Sequence, residues 1–246
     1  MKKMITVFIL LIILVSLSGK FSADLETGVI FPGYNDVRIP NAPEDNSTFF
    51  SFKDDFDADP VMFGRLNLHW QIHPRHELSL LAAPLTLKPT GTLPDSVVFM
   101  GTTFEANTPI EGRYTFNSYR AQYLYRFKNQ KQILRAIGVT IKLRDAVISL
   151  KQGDTYAEKT DLAPVPLIGI ELGYDFNDDF SILLKGEGLW SPYGRAEDFL
   201  LSARYNINDK STLYLGYRFL EGGSDIDEVL TFASLNYLTI GTQIRF

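Results

Sequence analysis

The last ten residues, Tyr237-Leu-Thr-Ile-Gly-Thr-Gln-Ile-Arg-Phe246, alternate between two kinds of side chain. Successive side chains of an extended strand point to opposite sides. Leu238, Ile240, Thr242, Ile244 and Phe246 therefore share one face, which suits lipid. Tyr237, Thr239, Gly241, Gln243 and Arg245 share the other, which suits water. Outward from this stretch the same alternation recurs in segments of roughly ten residues, joined in turn by short polar turns and by longer loops, the sequence form of a transmembrane β-barrel.

Ten such strands are predicted, over residues 25–31, 62–72, 77–87, 110–127, 133–150, 165–176, 180–190, 199–207, 212–220 and 230–246. An even number returns both ends of the barrel to one side. Twelve strands follow if residues 47–53 and 96–105 also cross, and eight if two pairs of segments merge. A phase slip near Asp145 predicts a bulge. Pro84 and Pro166 fall inside predicted strands, where a missing N–H weakens the register. Residues 34–60, with turn formers and the acidic run Asp54-Asp55-Phe56-Asp57-Ala58-Asp59, are expected to form an outer loop, and residues 88–108 to extend the third strand. Tyr125, Phe127, Tyr174, Phe176, Tyr205 and Phe246 flank the short turns, as an interfacial aromatic girdle should. A soluble β-sandwich also alternates, but it has no need of outward aromatics near both ends of its strands.

At the other end, Met1-Lys-Lys precedes the apolar run Met4 to Val15 and the small residues Ser16-Leu17-Ser18. A run this short suits a signal peptide better than a spanning helix of roughly 20 residues. Residues 1–18 are expected to be removed, with cleavage between 18 and 23, leaving residues 19–246 as one barrel domain. No later run of about 18 apolar residues exists, which excludes a helical membrane protein. The chain has no Cys, hence no disulfide, lipoprotein attachment site or thiolate metal site. Its formal charge of −5 becomes −7 without Lys2 and Lys3 and argues against nucleic acid as a partner.

An aromatic last residue after an alternating strand resembles the closing strand of bacterial outer-membrane β-barrels, in which that pattern is read by the assembly machinery. The resemblance implies an all-β, antiparallel, up-and-down transmembrane barrel in the outer membrane of a Gram-negative-type cell, with short turns facing the periplasm. It implies outer-membrane lipids and the barrel-assembly machinery as partners, with Leu238, Ile240, Ile244 and Phe246 as the assembly signal.

The strand phases send Arg65, Arg120, Arg126, Lys142, Arg144, Lys185, Arg204, Arg218 and Arg245 inward, against only Glu77, Glu171, Asp175 and Glu187. An excess of cations inside an acidic protein has two explanations. One is a closed structural network, because barrels of about eight strands are filled by side chains. The other is a narrow anion-preferring path for small acidic solutes, since Arg forks bind carboxylate and phosphate. A third function class, an outer-leaflet lipid-modifying enzyme, lacks its usual base. The chain has only His69, His73 and His76, all near one periplasmic turn. A carboxylate site from Asp198, Glu221, Asp225 and Asp227 would have to replace it. Glu221, Asp225 and Asp227 are also hard oxygen donors of the type that hold calcium or magnesium, but their spacing is not that of an EF-hand. No nucleophile elbow, phosphate loop or zinc motif is present, and no cofactor is expected.

Overall fold

A computed structural model describes residues 20–42, 46–127 and 133–246. The expected signal peptide and the turn expected at Lys128 to Lys131 lie outside the described residues. Ten long strands run through the rest: β1 (Lys20–Arg38), β2 (Val61–His73), β3 (His76–Ala83), β4 (Pro109–Arg126), β5 (Leu134–Gln152), β6 (Thr155–Asp175), β7 (Phe180–Ser191), β8 (Gly194–Asn208), β9 (Ser211–Ile226) and β10 (Val229–Arg245). Each pairs antiparallel with the next, and β10 pairs with β1 from Arg245 opposite Ser22 to Leu230 opposite Arg38. The sheet is thereby a closed ring. Hydrocarbon demands this, because an open edge would leave backbone donors and acceptors without partners.

Outward-facing apolar side chains are exposed around the whole ring, among them Met62, Leu80, Val139, Ile168, Leu215, Leu238 and Ile240. Such a continuous apolar band has a physical role only against lipid. Tyr174, Phe176, Tyr205 and Phe246 are exposed next to the short turns, as their alternation predicted. Of the alternative strand counts, neither twelve nor eight is realised. Phe50–Ser51 and the hairpin Val97–Phe99 with Thr102–Phe104 are short pieces outside the ring of ten.

Several expectations need correction. The third strand stops at Ala83 and not at Leu87. Pro84 has no N–H for the ladder, and the chain turns towards β4, where the Leu85 N–H is taken by the Asn117 side chain at 3.1 Å. Thr86–Leu87 and Thr90–Thr92 then pair with β4, and Thr90 also bridges to Asp57. The bulge expected near Asp145 is absent: β5 keeps register with both neighbours there and shifts only between Leu134 and Ala136. The change of pattern at Asp145 reflects a change of surroundings, since β5 and β6 continue beyond the level at which β7 stops pairing. From Thr155 to Leu167 the far edge of β6 carries no ladder to β7, and Pro164 and Pro166 sit on this edge, where they remove donors that another chain could use.

The loop expected outside at residues 34–60 differs most. Residues 34–38 belong to β1, and Phe50, Phe52 and Phe56 fold into the outer mouth. There they join the hairpin residues Val97, Phe99 and Phe104 and the inner faces of the upper strand ends, including Ile30, Tyr114, Leu220, Leu235 and Tyr237, in one buried apolar cluster. Edge-to-face contacts hold it together, Phe52 to Phe50 at 5.2 Å and Phe63 to Tyr237 at 4.9 Å between ring centroids. The barrel is thus filled by apolar side chains in its outer half and by charged ones below.

Gly241 shows how tightly the inner half is packed. It lies opposite Tyr214 on β9, and a Cβ there would come within 2.1 Å of the tyrosine ring. Gly241→Ala must displace a buried aromatic ring, and a loss of about 1–3 kcal/mol of stability is expected from such overpacking. Equilibrium urea unfolding of the refolded protein in lipid vesicles checks it; an unchanged midpoint would refute this packing.

Candidate functional site: the charged lumen

The lumen arginines do not stand in a ring facing empty space. Nearest the apolar plug, Arg218 donates to both oxygens of Glu26, at 2.9 and 2.7 Å, and to Asp198. Asp198 also faces Arg120 at 2.7 Å and Arg65 at 3.2 Å. Arg120 reaches on to Glu187, which accepts further hydrogen bonds from Gln122 and Thr140. Three guanidinium groups here match three carboxylates, those of Glu26, Asp198 and Glu187.

One layer nearer the chain termini the same balance recurs as a ring of alternating charge. Arg126 donates to both oxygens of Glu77, at 2.7 and 2.9 Å, and to Glu171 at 2.8 Å. Lys185 lies between Glu171, at 3.9 Å, and Asp24, at 3.3 Å. His69 closes the ring between Asp24, at 3.3 Å, and Glu77, at 2.9 Å. Three cations face three carboxylates when His69 carries its proton. Buried charges persist in this way because each has a partner of opposite sign and good geometry, while removal of any one leaves its neighbours uncompensated.

The excess of cations expected from the strand phases therefore largely disappears. Asp24 and Glu26 lie in the lower part of β1, before and within the stretch first recognised as strand, and alternation with Ile30 would have put both inside. Asp198 was expected at the outer rim as part of a carboxylate site. The structure places it 4% exposed at the centre of the lumen, opposite Leu220 on β9, so no rim site includes it. Glu221 is held by Arg195, at 2.8 to 3.0 Å, and by the Tyr34 phenol. Asp225 accepts a hydrogen bond from Asn41 at 3.0 Å. Among the described residues, Glu221, Asp225 and Asp227 do not converge into a group that could hold a metal ion.

Two other lumen cations form no ion pair with these networks among the described residues, although Lys142 stands directly opposite Arg120 on β4. Arg144 pairs with Asp161 across β5 and β6, on the part of the hairpin that rises beyond β7. Lys142 is buried with its ammonium 4.5 Å from the Phe116 ring centre, a cation–π contact.

Between the two charged layers remains a cavity of about 70 Å³, lined by Asp24, Arg65, Arg120, Glu171, Asp198 and Arg218 among others. Space of that size takes a few water molecules. Below it, at the mouth where Lys20 and Phe246 lie, the lumen widens into a polar vestibule of about 750 Å³. His69 belongs to the upper wall of this vestibule, while His73 and His76 sit at the turn between β2 and β3, where His76 meets the Tyr123 hydroxyl at 2.6 Å.

No protein-family model matches the chain, and no curated protein matches it in sequence. Among solved structures, the chain is similar to the outer membrane protease OmpT of Escherichia coli, with 11% identity, 94% of this chain and 99% of the other covered, and a TM-score of 0.55. Matches also include Ail, the attachment invasion locus protein of Yersinia pestis (10% identity, 94% and 100% covered, TM-score 0.38), and Neisserial surface protein A (12% identity, 92% and 97% covered, TM-score 0.37). At so low an identity the likeness to OmpT speaks for architecture alone: the chain has the fold of a ten-stranded bacterial outer-membrane β-barrel.

Proposed function

We propose that the protein is an outer-membrane barrel of structural or binding type whose polar, arginine-rich interior stays closed. The observation that carries this is the pairing of lumen charge, three arginines with three carboxylates in one layer and Arg126, Lys185 and His69 among three carboxylates in the next, beneath an apolar plug. A solute path needs cations free to exchange an anion, and Arg65, Arg120, Arg126 and Arg218 are committed to carboxylates. The apolar belt meets outer-membrane lipids, and the assembly machinery reads the last strand through Leu238, Ile240, Ile244 and Phe246. Export by a signal peptide over residues 1–18 belongs to the same proposal. The narrow anion-preferring channel is the competing function, and conductance separates the two.

Refolded protein in a planar bilayer under a salt gradient should produce no discrete current steps. Regular anion-selective openings would overturn the closed-barrel proposal and make Arg65, Arg120 and Arg218 residues of a path. Arg120→Gln should then alter selectivity; in a closed barrel it lowers only stability, because it strips a buried partner from both Asp198 and Glu187.

A further inference from the structure

Two arginines are left over when the lumen charges are paired. Arg204 on β8 and Arg245 at the end of β10 have no carboxylate within 4.0 Å among the described residues, although every arginine of the two layers above them has at least one. Both instead donate to one neutral atom, the amide oxygen of Gln243, at 3.0 and 3.1 Å, and Arg245 donates also to the Asp209 carbonyl at 3.4 Å. Arg204 is 8% exposed, stacks its guanidinium 5.0 Å from the Tyr214 ring centre, and has a buried Nη1 that meets no acceptor. The carboxylate next in range, Asp24, gives its Oδ2 to Lys185 and His69, while its Oδ1 is buried without a hydrogen-bond partner. Arg204, Gln243 and Arg245 all line the wide vestibule at the terminal mouth, with Lys20 on the same wall.

A buried guanidinium without a counterion is costly, and its fork geometry suits the two oxygens of a carboxylate or phosphate. The Gln243 oxygen marks where such an oxygen would be held, at hydrogen-bond distance from both arginines. The vestibule is large enough to admit a small solute, and it opens on the side that an outer-membrane barrel turns to the periplasm.

From this geometry we infer an oxyanion-binding site formed by Arg204 and Arg245 around Gln243, which takes the carboxylate or phosphate group of a periplasmic solute. The inference rests on the proposed closed barrel of binding type and supplies its ligand class. The anion enters and leaves by the vestibule, without crossing the paired layers above.

Isothermal titration of the refolded full chain with inorganic phosphate, and separately with acetate, tests the site. Saturable one-to-one binding of phosphate alone assigns it to phosphate esters, and binding of both admits carboxylates. Removing one charge-assisted partner should weaken binding about tenfold or more, so Arg245→Gln and Arg204→Gln should both do so. Arg135→Gln, at a vestibule arginine already paired with Asp175 at 2.8 Å, should leave binding unchanged. Gln243→Glu is the variant that does not depend on tolerance of a lost charge. It places the missing carboxylate between the two arginines, so it should raise the thermal unfolding midpoint and abolish binding of the probe. Absence of binding by the wild-type chain would overturn the inference, as would phosphate affinity retained in Gln243→Glu, or affinity lost equally in Arg135→Gln. None of these results bears on bilayer conductance, so a silent barrel that binds no oxyanion refutes the site and leaves the closed-barrel proposal standing.

Discussion

Asp198→Asn should destabilise the folded barrel by about 3–5 kcal/mol, the cost of removing one partner from a buried ion network. Asp198 is the shared acceptor of Arg65, Arg120 and Arg218, and it is almost fully buried. Without its charge, three guanidinium groups must divide Glu26 and Glu187 between them. An amide also presents an N–H₂ group towards donors, which adds repulsion where attraction stood. Urea unfolding in lipid vesicles, followed by tyrosine and tryptophan fluorescence, measures the loss. A change smaller than about 1 kcal/mol, the usual worth of an exposed ion pair, would mean that water screens Asp198 and that the lumen is more open than its packing implies. A companion variant separates charge from volume. Combining Asp198→Asn with Arg218→Met removes one of the three competing cations as well, and should recover part of the lost stability if the penalty is uncompensated charge.

Phe52→Ala should cost about 3–5 kcal/mol, the range for truncating a fully buried aromatic side chain. Phe52 is 1% exposed and packs edge-on against Phe50, Phe56 and Tyr114, so a cavity opens in the middle of the plug. Phe49, three positions earlier, is 56% exposed and serves as the control: Phe49→Ala should change stability by no more than about 0.5 kcal/mol. Equal, small effects at the two positions would show that residues 46–57 lie outside the mouth as a solvated loop. The same loop also bears on the closed barrel. Its aromatic residues and the hairpin Val97–Phe99 with Thr102–Phe104 fill the outer half of the lumen. The charged layers fill the inner half independently, so Phe52→Ala should lower stability without producing current.

The barrel itself was legible in the residues because a strand between lipid and lumen has only two kinds of neighbour. Alternation in Leu238 to Phe246, Ile137 to Leu143 and Leu213 to Phe219 reports those two environments one residue at a time, and all three stretches face as their phase predicts. Turn chemistry at His73 to His76 and at Asn208 to Lys210 marks the ends of the strands. Closure follows from the bilayer, which tolerates no unpaired sheet edge. Where strands leave the membrane the two-state code fails, and there the expectations failed as well, at Asp145 and beyond Ala83.

Composition could not show where the phenylalanines of residues 49–56 go. An acidic run with turn formers looks solvated, and only the shape of the outer mouth gives Phe50, Phe52 and Phe56 an apolar place to be buried. Partner choice in the lumen was equally hidden. Phase places a charge inside, but Asp198 meets Arg120 and Arg65 from strands distant in the ring of pairing, and such contacts across a barrel depend on its diameter and stagger. Local periodicity was enough for the class of fold and for about ten strands, because each side chain of a spanning strand meets one of two surroundings. Pairing across a closed sheet is set by distance in space and not along the chain, so the matching of charges in two layers and the lack of an acid beside Arg204 and Arg245 became visible only in three dimensions.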